Sequence, residues 1–182
     1  MILVGLTGKR GVGKTELAKH LEIKYGYANI RRFAFADKLR NHCSNIWGES
    51  FANRPKEEPF KNYPWCPREF MVAYGNFIRN YDPIYWVNSL LSVLGGNGHY
   101  VIDDVRYPNE YKAIKEKGGV VVRIERHEVD NPYTGNNVSL GDSEDHCETF
   151  LCDYTITKDQ NTTKESLYQR GDEIWKSILL NT

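Results

Sequence analysis

A chain of 182 residues, 40% hydrophobic and 26% charged, is suited to one globular domain with its own core. Its 24 Lys and Arg balance its 24 Asp and Glu, which argues against a global basic field drawing it to nucleic acid or an anionic membrane, so anion binding must be local. No run approaches the ~18 apolar residues of a membrane span, the start lacks the pattern of a signal peptide, and Cys43, Cys66, Cys147 and Cys152 show neither zinc-site pairing nor disulfide density. The expectation is a reduced, cytoplasmic chain without a cysteine metal site.

The first element is a short apolar strand at 2–6, which runs into Gly8-Lys9-Arg10-Gly11-Val12-Gly13-Lys14-Thr15. A helix over 14–25 follows, with Leu17, Ala18, Leu21 and Tyr25 on its sheet-facing side and Gly26 at its end. A strand is expected at 32–36, then a helix capped by Asp37 and carrying Leu39 and Ile46. The stretch 54–67 holds Pro55, Pro59, Pro64 and Pro67, which predicts a loop without a core pattern. Helices are expected at 68–79 and 84–94, a strand at 100–103, and a helix at 109–117 stopped by Gly118-Gly119. A strand at 120–125 leads into polar residues 127–145, whose turn signals and length suggest a lid or binding loop. A strand at 154–157 precedes a last helix opening with Thr162-x-x-Glu165 and burying Leu167, Ile174, Trp175, Ile178 and Leu179. Short β-rich runs alternating with amphipathic ones predict an α/β fold: about five parallel strands flanked by helices.

Gly8, Gly13, Lys14 and Thr15 match G-x-x-x-x-G-K-[ST] between an expected strand and an expected helix, the context a phosphate loop requires. Glycines let successive N–H groups turn inward onto phosphate oxygens, and the positive end of the helix favours the same anion. Lys14 would reach the outer phosphates and Thr15 would ligate Mg2+, with Lys9 and Arg10 adding charge. A second acidic motif is expected at a strand end, where Asp103 and Asp104 stand three and two residues before Arg106. Arg68, Arg79, Arg106 and Arg126 fall near expected element ends, and guanidinium groups grip phosphate bidentately. No N-K-x-D for guanine reading occurs. A small-molecule kinase is the leading class; a nucleotide-dependent regulator is the rival outside enzymes.

Together, "GLTGKRGVGKT", "FAFADKLR", "REFMVAYGNFIRNYDPIYWV", "VIDDVRYPNE" and "GGVVVRIER" make the chain similar to the phage-type deoxynucleoside monophosphate kinases of the P-loop kinase superfamily. The resemblance implies a five-stranded kinase core that moves the γ-phosphoryl of ATP, with Mg2+, onto a 2'-deoxynucleoside 5'-monophosphate. It implies that Asp37, Arg68, Gly75, Arg79 and Trp86 line the acceptor side. It places Asp104, rather than the Asp103 that strand-end counting favours, at the metal, and Arg106 on the acceptor phosphate. Catalysis would rest on Lys14, Arg79, Asp104 and Arg106. The nucleotide would be held by 8–15 and by Arg126 at the root of a lid at about 127–147, and about 38–97 would be an acceptor-site insertion in a single domain. The family's His-x-Ser-Glu segment has only His146 and Glu148 as its nearest equivalents here. A dephospho-coenzyme A or adenylate type of kinase is the enzyme alternative. The expected partner is a small molecule, not a nucleic acid or membrane; a homodimer is left open, and a phage-encoded chain would work in host cytoplasm.

Overall fold

The computed structural model describes residues 1–48, 51, 53–126, 146–159 and 162–181. The expected lid, apart from its last two residues, lies outside the described residues. The chain divides into two compact units, Met1–Ala34 with Leu94–Thr182, and Phe35–Val93.

The first unit is a five-stranded sheet in the order β2-β3-β1-β4-β5, with every neighbouring pair parallel. Its strands are β1 (Leu3–Thr7), β2 (Ile30–Phe33), β3 (His99–Val105), β4 (Val120–Arg126) and β5 (Tyr154–Lys158). The crossover from β1 to β2 passes over β3 and the one from β3 to β4 passes over β1, in opposite directions. Right-handed connections therefore put α1 (Lys14–Tyr25) and α5 (Pro108–Glu116) on opposite faces. Val4, Leu6, Val101, Val122, Ile124 and Ile156 pack with Leu17, Ala18 and Leu21 of α1 and with Leu167, Trp175 and Ile178 of α6 (Lys164–Leu180). Each fully buried aliphatic contributes about 1.5–3 kcal/mol. The crossovers leaving the adjacent strands β1 and β3 run in opposite directions, so the chain after the carboxyl end of β1 enters the crevice where parallel α/β sheets bind ligands.

Several expectations shift. The second strand ends at Phe33, and Phe35 and Ala36, expected in it, begin α2 (Phe35–Trp47). Asp37 therefore sits inside the first turn of α2, ion-paired to Arg40 at 3.2 Å, rather than capping the helix. Gly26 is right-handed and opens a 3-10 turn; Asn29 takes the left-handed conformation, at φ 59°. Thr163, not Thr162, caps α6, accepting from the Ser166 N–H at 3.2 Å, while Thr162 Oγ1 bonds Asp159. Leu179 is exposed. The other helices begin or end within a few residues of expectation.

The second unit holds α2, α3 (Pro67–Tyr81) and α4 (Tyr85–Leu91). Its core is aromatic: Leu39, Cys43, Phe51 and Trp86 are buried with Trp47, Phe60, Phe70, Met71, Tyr74, Ile78 and Tyr85 around them. The proline-rich stretch, expected to lack a core pattern, contributes Phe60 and Trp65, whose ring centroids lie 4.8 Å apart, and Trp65 stands 4.9 Å from Trp47. Burial pushes the Cys43 thiol up to about 11, so it stays protonated and serves packing.

Candidate active site

Strand β1 is buried along its whole length and delivers the chain to the glycine loop at the sheet's carboxyl edge. Gly8, Gly11 and Gly13 have φ of 132°, 79° and 108°, a region closed to most side chains. A Cβ on Gly8 would run into the Ile124 carbonyl oxygen, and one on Gly13 would stand 2.9 Å from Leu167 Cδ2. Helix α1 starts from Gly13 without a side-chain cap, so no side chain of its own takes the first amides. Lys14 is 7% exposed and folds back over the loop, donating from Nζ to the carbonyls of Gly8 at 2.6 Å and Lys9 at 2.8 Å. Lys9 reaches the Glu148 carboxylate at 2.5 Å, and Thr15 is exposed beside Lys14.

The register explains the two carboxylates. Gly5 pairs with Ile102 but Thr7 with Val105, so β3 carries an extra residue at Asp103-Asp104, an irregularity of the kind that re-aims side chains beside active sites. The Thr7 hydroxyl closes the bulge, donating to the Val105 carbonyl at 2.9 Å. Asp103 is 2% exposed and held bidentately by Arg32, Nε to Oδ2 at 2.8 Å and Nη2 to Oδ1 at 3.2 Å. Its oxygens are thereby committed, while Asp104 is half-buried. After β3, the Glu110 carboxylate accepts from the backbone N–H of Arg106 at 2.8 Å and of Tyr107 at 3.1 Å, with Pro108 at the first helical position. The turn that presents Arg106 is thus held by a buried acid three residues into the next helix.

His146 and Glu148 lie in a short helical turn at 146–149. Arg123 of β4 holds that segment by donating to the carbonyls of Cys147, Glu148 and Phe150, the last at 2.6 Å. Tyr111 stacks on Phe150 at 4.8 Å, and the His146 ring is 6.4 Å from that of Tyr107. The segment therefore sits at the loop's edge, with Glu148 on Lys9. Arg126, the last residue of β4, is the ladder partner of Lys158. Lys158 donates to the Val12 carbonyl of the loop at 3.2 Å.

In the second unit, Gly75, Arg79 and Trp86 come together. The Trp86 indole N–H donates to the Gly75 carbonyl at 3.2 Å, and a Cβ on Gly75 would stand 3.1 Å from Leu39 and 3.2 Å from Arg79 Nη1. Trp86 is only 2% exposed, so it backs this cluster from within the core. Arg79 also donates to the Asn76 side chain at 3.1 Å. Arg68 instead grips Glu57 through Nε at 3.0 Å and Nη2 at 2.8 Å, tying α3 to the proline-rich stretch. Arg32, Glu110 and Lys158 escaped the sequence reading. Glu110 was readable as the third residue of a helix opened by Pro108, whereas Arg32 and Lys158 lie in strands with no local motif.

No protein-family model matches the chain. A protein of Acanthamoeba polyphaga mimivirus, "Putative deoxynucleotide monophosphate kinase", is 30% identical over 148 residues, 69% of this chain and 75% of that one. Among solved structures, a dephospho-CoA kinase from Campylobacter jejuni is similar at TM-score 0.56 and 12% identity, covering 98% of each chain. A shikimate kinase from Acinetobacter baumannii in complex with shikimate gives 0.52 and 16%, covering 99% of this chain and 94% of that one. Both share the fold of parallel strands around a phosphate loop. With the glycine loop at the carboxyl edge of β1 and the mimivirus relative matched over most of its length, the chain belongs to the deoxynucleotide monophosphate kinase family of the P-loop kinase superfamily.

Proposed function

We propose that the chain transfers the γ-phosphoryl group of ATP, with Mg2+, to the phosphate of a deoxynucleoside 5'-monophosphate, giving the diphosphate. The observation that carries the donor half is the glycine cradle. Three positive-φ glycines, an uncapped helix start and a buried lysine folded over the loop fit a polyphosphate. The mimivirus relative supports the acceptor class.

An acceptor monophosphate has a second pKa of about 6 and is largely dianionic at neutral pH, so no strong general base is required. The chain's own task is to position and neutralise. Loop amides and Lys14 hold the donor phosphates, and Arg79 and Arg106 take the acceptor phosphate and the charge passing through the transferring group. Thr15 and Asp104 are the residues to hold Mg2+, which when bound draws negative charge off the phosphoryl oxygens. Asp103 stays on Arg32 and keeps the end of β3 in place. Gly75 leaves room for Arg79, with Trp86 supporting both from the core. Arg126, at the end of β4, is assigned to the donor nucleotide.

The experiment is an acceptor panel: ATP and Mg2+ with dAMP, dCMP, dGMP or dTMP and the ribo forms, scored for ADP. At least one deoxynucleotide should be phosphorylated far above the acceptor-free rate. ATP turnover unaffected by every nucleotide, or raised only by a metabolite without a nucleoside, would reject this reading.

A further inference from the structure

Lys158 shares with Lys14 a burial that the other described lysines of the sheet unit lack. It ends β5, the edge strand, yet is 6% exposed, and its ammonium makes one hydrogen bond, to the Val12 carbonyl, with no carboxylate paired to it among the described residues. Its ladder partner on β4 is another cation, Arg126, and burial and that neighbour both push its pKa below the ordinary lysine value. An ammonium has three donors and a full charge, and one carbonyl does not repay removing it from water. Leu167 walls the same place from α6, and Lys158 Nζ lies 3.5 Å from where a Gly13 Cβ would stand. The missing compensation is an anion, and the nearest built anion cradle is the loop itself.

The peptide that Lys158 grips indicates how it acts. Carbonyl and N–H of one planar trans peptide point in opposite directions. With the Val12 oxygen turned back toward Lys158, the Gly13 N–H is turned into the loop.

We propose that Lys158 is a positioning residue of the phosphate loop and its second cation: it orients and polarises the Val12–Gly13 peptide toward the bound phosphates, whose charge compensates the buried ammonium. This rests on the phosphate-loop reading above. It adds a residue outside the loop motif, from the far end of the chain, to the determinants of donor affinity.

The test uses Lys158→Met, which keeps the length and removes the charge, and Lys158→Arg, which keeps the charge. Dissociation constants for Mg-ADP and for pyrophosphate are measured by calorimetry, together with the Tm of each ligand-free chain. Lys158→Met should weaken both probes by about tenfold while the ligand-free Tm holds or rises, because a poorly compensated buried charge is gone. Lys158→Arg should recover part of the affinity. Unchanged binding by Lys158→Met, or weakening that comes only with a lowered ligand-free Tm, overturns the proposal and leaves a packing role. A wild-type chain that binds neither probe overturns the phosphate-loop reading itself. A measurement independent of the Met variant's folding is the wild-type Lys158 ε-carbon resonance, assigned by its loss in Lys158→Arg. Pyrophosphate should shift it, and an unmoved resonance in a pyrophosphate-saturated chain overturns the proposal.

Discussion

The sheet unit and the unit at Phe35–Val93 are built from different materials. The first packs Val, Ile and Leu from parallel strands against α1 and α6, and its candidate site is made mostly of main chain: positive-φ glycines and the carbonyls under Lys14. The second packs Trp, Phe and Tyr rings around three helices and a proline-rich stretch, and its candidate residues are side chains gathered on Gly75. A phosphate is the same in every nucleotide and can be met by backbone amides that hardly depend on side-chain identity. A nucleoside must be told from its relatives, which calls for side chains. In the proposed function the sheet unit grips the donor and the aromatic unit selects the acceptor.

Four substitutions break or sharpen that contrast. The largest effect is expected from Lys14→Ala, which should lower kcat/KM about 100- to 1,000-fold, roughly 3–4 kcal/mol in the barrier, with an unchanged circular-dichroism spectrum. Turnover within a few-fold of wild type would remove the loop from the donor half. Next, Gly8→Val forces a side chain onto φ 132° and into the Ile124 carbonyl. Urea denaturation should show a loss of about 2–4 kcal/mol. Trp86→Phe removes the hydrogen bond to the Gly75 carbonyl. That should cost about 1–2 kcal/mol and raise the acceptor KM several-fold while the ATP dissociation constant stays put.

The smallest effect concerns pH and a carboxylate that is not among the candidate site residues. Asp172 is buried between His20 at 3.0 Å and Lys24 at 2.6 Å. Burial alone would raise its pKa, but the hydrogen bonds from Lys24 and His20 outweigh burial and hold it below the ordinary value. A carboxylate with a depressed folded pKa contributes stability above the unfolded value of about 3.9 and loses it as pH falls through the folded one. Lys24, raised chiefly by its hydrogen bond to Asp172, stays charged throughout that range. Asp172→Asn should therefore be less stable than wild type at pH 7, and the gap should narrow below about pH 4. A gap independent of pH would assign the effect to packing.

What could be read from the sequence follows the same division. Helix α1 and the glycine loop were legible because both depend on local rules, a 3.6-residue period and a fixed spacing of Gly and Lys. The strand β2 was expected too late, at 32–36, because the apolar Phe33-Ala34-Phe35 read as strand; the observed strand is Ile30–Phe33, and its Arg32 holds buried Asp103, a partner 71 residues away. The same long-range pair occupies Asp103 and so supports Asp104 in the proposed metal role, whereas counting along β3 favoured Asp103. In the aromatic unit, the prolines correctly announced irregular backbone but concealed that Phe60 packs against the core with the Trp65 ring beside it, since aromatic packing has no sequence period once the backbone is irregular. Lys158 was invisible because its partner, Val12, is 146 residues away.

The division of labour is tested most directly by Arg79→Ala, measuring the Mg-ATP dissociation constant and the acceptor KM for the deoxynucleotide that the wild-type chain prefers. Losing a charged hydrogen-bond donor to phosphate should raise the acceptor KM by about tenfold or more and leave the ATP constant within about twofold. An ATP constant that weakened as much as the acceptor KM, or an acceptor KM that did not move, would contradict it.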